Sequence, residues 1–220
     1  PRIIVFDYQT SRSGKHARDF LDGWQGHLVV DDYAGYKSLF TLVGNCTELG
    51  CWAHARRKFF DLHQANASTV AFEALQRIGK LYAVEAEKSL PILQSLYDWL
   101  LQTRFHTADG GGTAKAIDYT LKRWQSLIRY AGSGHLPIDN NPVENTIRPI
   151  ALGKKNWLFT GSERAGKRAA AIQTLLGTAK LNGLNPAQWL AAPLEKLPTW
   201  PNSRIDELLP RSHRRLLKHC

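Results

Sequence analysis

Along the first third of the chain the apolar positions change period from one short segment to the next. "RIIVFDY" (2–8) is β-branched and aromatic and predicts a strand. "GKHARDFLDGW" (14–24) predicts a short helix. "GHLVVDD" (26–32) is a continuous apolar run of the kind a strand buried on both faces shows. "AGYKSLF" (34–40) predicts two helical turns, and "ELGCWAH" (48–54) a third strand. A β-α-β-α-β order implies parallel pairing within an α/β layer.

From Ala55 to Ala131 the spacing turns helical. Phe72, Leu75, Ile78 and Tyr82 form one apolar face, Leu93, Leu96, Tyr97 and Leu100 a second, and Ile117, Leu121, Trp124 and Ile128 a third. "DGGGT" (109–113) separates two of these helices. The last third holds "DNNPVENTIRPI" (139–150) and "LGKKNWLFTGSERAGKR" (152–168). A helix follows from about Gly166 to Asn182, with Ala169, Ile172, Leu175, Leu176 and Ala179 as its stripe. In "NPAQWLAAPLEKL" (185–197), Asn185 reads as an N-cap and Pro186 as the first helical residue. A basic tail, "RSHRRLLKHC", closes the chain, and no internal repeat is present.

Composition adds a partner. The chain of 220 residues is 43% hydrophobic, enough for a proper core. Lys and Arg number 29 against 19 Asp and Glu, a net charge of +10. That surplus favours a polyanion, with nucleic acid ahead of an anionic membrane. No apolar run is long enough to span a bilayer and no signal peptide opens the chain. Cys46, Cys51 and Cys220 are too scattered for a disulfide framework and suit a reducing cytosol. The chain begins with Pro1 and contains no Met, so a piece of a longer protein is expected.

Several stretches could carry chemistry. Asp31 and Asp32 end an apolar strand, where a carboxylate can hold a hard cation such as Mg²⁺ or can simply serve a turn. In "DNNPVEN", Asn141 can cap a helix, with Pro142 at its first position and Glu144 completing a capping box; Glu144 can instead be a metal ligand. "GSERAGKR" has the P-loop skeleton, but Arg168 stands where Ser or Thr is needed. Cys46, Cys51 and His54, with His63 as a fourth candidate, allow a weak zinc reading. For DNA phosphates the candidates are Arg56, Arg57 and Lys58, and the cluster of Lys154, Lys155, Trp157, Arg164, Lys167 and Arg168; ordinary surface charge is the alternative.

Together, "LVVDDYAGY", "CWAHARRKFFDLH", the long run from Asp139 to Pro186 and "RIDELLP" resemble the insertion sequence 66 family of bacterial transposases, from about Arg2 to Pro210. The resemblance implies an α/β fold: a partial ribonuclease H-like core interrupted by an all-helical insertion (about 55–135), with a helical C-terminal element. Residues 1–170 would form the catalytic region, 171–212 the C-terminal element and 213–220 the tail. It also implies a DDE site, in which three acids hold two Mg²⁺ ions for DNA cleavage and strand transfer. By position, Asp31 and Glu144 match two of those acids, 144 − 31 = 113 residues apart. Asp32 falls where the family often has a small residue and reads as a bystander. The first acid lies upstream of everything present, and Asp7 is not assigned to it. The expected chain is therefore a truncated transposase, incomplete at its metal site and inactive alone; the alternative is a non-catalytic DNA-binding fragment that interferes with an intact transposase. Implied partners are transposon-end DNA and further transposase protomers, identical or not, in the cytoplasm at the nucleoid and not at a membrane.

Overall fold

The computed structural model describes residues 2–41, 46–153, 155–156 and 160–210. The chain forms two compact units. Residues 13–144 make one, and residues 1–12 with 145–220 the other.

The first unit begins with α1 (Gly14–Phe20), β1 (Gly26–Val30), a 3₁₀ segment (Ala34–Phe40) and β2 (Cys46–Gly50). The two strands pair in parallel, in register from Gly26↔Cys46 to Val30↔Gly50, as the alternation of elements predicted. They are the only strands among the described residues. β1 is not buried on both faces: His27 is exposed, Leu28 and Val29 are half-buried and only Val30 is buried. The strand predicted at 48–54 is corrected at its end. β2 stops at Gly50, and Trp52 already opens a helix, because Trp52, Ala55 and Phe59 are buried at helical spacing.

That helix, α2 (Trp52–Asn66), starts a helical block with α3 (Thr69–Tyr82), α4 (Leu90–Phe105), α5 (Gly112–Lys122) and α6 (Trp124–Ile128). α2 packs on α3 and α5, and α4 on both α3 and α5. The core is made by Trp52, Phe59, Ile78, Leu96, Leu100 and Ile117, all at 0–1% exposure. Burying each such side chain stabilises by about 1.5–3 kcal/mol. The predicted face of α3 holds at Ile78 and, half-buried, at Leu75, but not at its two aromatics. Phe72 and Tyr82 are 49% and 43% exposed, while Ala71, Ala74, Ile78 and Leu81 are buried. Small alanines on α3 let the helix approach its neighbours, so the large aromatics turn outward.

β2 meets α6 at Gly50. A Cβ there would lie 2.9 Å from Ser126 Oγ and 3.0 Å from the Leu127 backbone nitrogen. Gly50→Ala is expected to destabilise this unit by about 1–3 kcal/mol through overpacking. A urea titration followed by circular dichroism measures it.

The second unit contains most of α7 (Asn141–Leu152), then α8 (Glu163–Leu181) and α9 (Pro186–Lys196). Asn185 caps α9 as predicted, its Oδ1 accepting from Ala187 and Gln188 N–H at 3.0 and 3.2 Å. "RIIVFDY" is extended but joins no sheet among the described residues, which corrects the predicted strand. It runs along α8 instead. Phe6 N–H donates to Thr174 Oγ1 at 2.8 Å, Ile4 N–H to Thr178 Oγ1 at 3.2 Å, and Asn182 Nδ2 donates to the Arg2 carbonyl at 2.8 Å. The spacings match: two extended residues rise about 6.6 Å and four helical ones about 6 Å. Of the predicted stripe of α8, Ala179 is buried, Ala169, Leu175 and Leu176 are half-buried and Ile172 is 52% exposed; Thr178, outside the stripe, is buried too.

Candidate active site

Asp31 and Cys51 directly follow the last paired residues, Val30 and Gly50, so they leave the parallel strands side by side. Carboxyl ends of strands are where α/β sheets place ligands. Asp31 is exposed, and its Oδ1 accepts the Tyr33 N–H at 3.1 Å, closing a tight turn. Two phenols sense its charge. Burial, with Asp31 adding, raises Tyr36 above the ordinary tyrosine range. Burial, then Cys51 and then Asp31, pushes Tyr119 up to about 12.

This shift makes an alkaline prediction. The unfolded phenol ionises near pH 10 and the folded one near 12, so the unfolded chain releases its proton first. The Tyr119 contribution is complete below pH 10 and is lost as pH rises toward 12, by about 2–3 kcal/mol in total. Denaturant midpoints compared at about pH 9 and 11.5 test it. Tyr119→Phe is expected to flatten that fall.

Asp32 adopts a left-handed backbone, φ 73°, which favours glycine. Its carboxylate pairs with Arg123, whose guanidinium stacks 4.0 Å above the Tyr119 ring centroid. Burial lowers the Arg123 pKa. The residue expected to be a bystander thus ties the strand end to α5–α6. Asp32→Ala removes that partner and keeps the strained φ, whereas Asp32→Gly removes the partner and relieves the strain. The glycine variant is expected to be the more stable of the two by about 1 kcal/mol, read from chemical denaturation.

Glu144 sits in the first turn of α7 and is exposed. The predicted capping box is corrected. The Asn141 N–H is taken by Asp139 Oδ1 at 3.0 Å, and the carbonyl of Asn140 accepts from Val143 and Glu144 N–H. The cap therefore falls one residue earlier, because "DNN" offers three capping side chains in a row and buried Asp139 and Asn140 take the role. Asn140 Nδ2 donates to Glu144 Oε1 at 3.3 Å. On its other side, Asn140 Oδ1 accepts from the Cys51 thiol at 2.9 Å, and His54 Nδ1 lies 3.1 Å from the same sulfur. Burial pushes the Cys51 thiol up, which keeps it a donor. Cys51 thus borders Asp31 through the strand register and is linked to Glu144 through Asn140.

Sequence reasoning missed Asn140, Arg123 and Tyr82, whose OH donates to Asp139 at 2.9 Å. Only Asn140 carried a local signal, its place in the "DNN" triplet. Of the zinc candidates only Cys51 and His54 meet. Cys46 and Cys51 stand at opposite ends of β2, about 16 Å of strand apart, and His63 Nδ1 faces the Ser68 carbonyl.

The basic candidates fall on separate surfaces. Arg56 and Arg57 line one cleft on α2, whereas Lys58 lies over the Tyr119 ring at 5.3 Å. In the second unit, Arg164, Lys167 and Arg168 line a shallow depression on α8, where Lys167 pairs with Glu163 at 2.6 Å. Lys155 is exposed; Lys154, Trp157, Cys220 and the basic tail lie outside the described residues.

The donor set suits a hard cation in part. Asp31 and Glu144 each keep one carboxylate oxygen without a hydrogen-bond partner among the described residues. Two carboxylates with water suffice for one Mg²⁺. No group of three or more His, Cys, Asp or Glu able to hold a metal occurs among the described residues. No helix among them is long and apolar enough to cross a membrane.

Comparison with known proteins supplies the family. The model described as "Transposase IS66 family" matches residues 1–168, and "IS66 C-terminal element" matches residues 174–210. Three uncharacterized proteins of Sinorhizobium fredii (strain NBRC 101917 / NGR234) are similar. The chain is 32% identical to y4hP, over 96% of this chain and 44% of that protein. It is 34% identical to y4qI, over 96% and 43%. It is 32% identical to y4jD, over 96% and 45%. The chain thus spans less than half the length of these curated relatives. No solved structure matches it. With two family models covering nearly its whole length, the chain belongs to the IS66 family of transposases.

Proposed function

We propose that this chain carries part of the catalytic centre of an insertion-sequence transposase, acting on transposon-end DNA at the bacterial nucleoid. The observation that carries the reading is the placement of Asp31 and Glu144. One ends a parallel strand beside Cys51, the other opens a helix, and Asn140 bridges Cys51 to it. The strand pair and the helix are read as part of a ribonuclease H-like core. Asp31 and Glu144 are read as two acids of a DDE set, with Mg²⁺ as their ion. A bound Mg²⁺ supplies Lewis-acid stabilisation to phosphoryl transfer. Asn140 holds the Glu144 carboxylate in place, and the Arg123–Asp32 pair holds the turn after Asp31. Arg56, Arg57, Arg164, Lys167 and Arg168 offer their charges to DNA phosphates without reading sequence.

The test combines duplex DNA from the element's ends with Mg²⁺, across a salt series. Expected is DNA binding that weakens steeply with salt, with strand cleavage, where it occurs, dependent on Mg²⁺ and lost in D31N and E144Q. Robust cleavage by this chain that survives D31N or E144Q would sink the assignment. DNA binding with no metal affinity at Asp31 or Glu144 would favour the non-catalytic DNA-binding reading.

A further inference from the structure

A second feature adjoins Glu144 and is not needed to hold it. α2 presents Arg56, Arg57, Phe60 and Asp61 along one face, at three- and four-residue spacing, opposite buried Ala55 and Phe59. With Tyr82 at the end of α3 and Asn141 at the start of α7, this face lines a cleft of about 740 Å³. Phe60 and Tyr82 are 42% and 43% exposed there, so two aromatic surfaces face the same cleft as the arginines. Neither arginine is ion-paired among the described residues, and the Arg56 guanidinium lies 6.0 Å from the Phe60 centroid. The far wall is built to stay still. Tyr82 OH and Asn141 Nδ2 both donate to the buried Asp139 carboxylate, at 2.9 and 2.7 Å.

Arginines beside exposed aromatic rings are the chemistry of single-strand recognition: the cations hold phosphates and the rings stack bases. A duplex does not offer its base faces, so a cleft that used only phosphates would have no need of the rings. Asp61 can accept from a base amino group, and it discourages a second phosphate at its end of the cleft. Asn141 is three residues before Glu144, which places the cleft beside that acid.

We propose that this cleft receives an unpaired nucleotide of single-stranded DNA next to the strand being processed. Its base stacks on Phe60 and its phosphates lie on Arg56 and Arg57. The inference rests on the transposase reading for the identity of the nucleic acid.

The test is fluorescence anisotropy of the full chain with a labelled single-stranded DNA 15-mer, the matching duplex and an RNA 15-mer, over a range of salt. Expected is that Phe60→Ala weakens single-strand binding by about 10-fold, within the range measured for losing one stacking platform. Duplex binding should be unchanged, and Phe60→Trp should restore the single-strand affinity. Arg56→Ala and Arg57→Ala should each lower the single-strand salt slope by about 0.7. Phe60 is on the surface, so a folding defect is not the expected confounder, and circular dichroism checks it. Single-strand affinity indifferent to Phe60→Ala overturns the proposal, as does equal loss for single strand and duplex, or a clear preference for RNA. Duplex binding without single-strand binding overturns the cleft alone and leaves the transposase reading standing. Failure to bind either DNA overturns both.

Discussion

Replacing Asp31 by Asn, or Glu144 by Gln, is expected to weaken binding of Mn²⁺, used as a spectroscopic stand-in for Mg²⁺, by at least about 100-fold. Loss of outer partners alone costs metal sites roughly 10–100-fold, and a direct ligand should cost no less. Both side chains are exposed, so neither change removes core packing, and unfolding midpoints should hold. The double variant should lose little more than either single one, because groups acting on one ion are not additive. Electron paramagnetic resonance of free Mn²⁺ reads all three affinities without requiring strand cleavage. Additive losses would mean that the two acids serve different sites. Unchanged affinity in either single variant would remove that residue from the proposed set.

Trp52→Ala is expected to cost about 3–5 kcal/mol, the range for deleting a buried large aromatic. Trp52 has 0% exposure, packs edge-on against Trp124 at 5.8 Å between centroids, and donates its indole N–H to the Leu127 carbonyl at 2.9 Å. Its backbone N–H also reaches the Ile138 carbonyl at 3.1 Å, just before the Asp139–Asn140 cap. One residue thus joins α2, α6 and the approach to α7. Against a typical domain stability of about 5–15 kcal/mol, that loss leaves the unit marginal or unfolded. Trp52→Phe keeps much of the ring and loses the indole hydrogen bond, so a smaller cost of about 1–3 kcal/mol is expected. Urea unfolding followed by far-ultraviolet circular dichroism separates the two. A Trp52→Ala midpoint close to that of the parent would contradict the core described here.

The elements that were legible from the chain alone are those whose signals are local. The Asn185–Pro186 cap of α9, the short helix after Ser13 and the parallel order of the strands follow from neighbouring side chains and from period. The errors lie where two stretches of chain compete. "RIIVFDY" has strand composition, yet Thr174, Thr178 and Asn182 on α8 satisfy its backbone. Phe72 and Tyr82 have core composition, yet alanines occupy the packed face of α3. Asn141 has the better textual claim to the cap of α7, yet Asp139 and Asn140 are buried and so take the bonds.

The candidate site divides in the same way. Family resemblance pointed to Asp31 and Glu144, and strand and helix signals put each at the end of an element. The Cys51–Asn140 link to Glu144, the pairing of Asp32 with Arg123 91 residues away, and the splitting of Arg56 and Arg57 from Lys58 were not readable in advance. Composition and local order determined a basic chain with a short parallel sheet, a long helical block and two acids at element ends. Only tertiary packing decided which cations share a cleft, which polar groups are bridged and which apolar faces are covered. The reason is physical: capping, turn and period preferences act over a few residues, whereas burial and hydrogen-bond satisfaction depend on whatever the fold brings alongside.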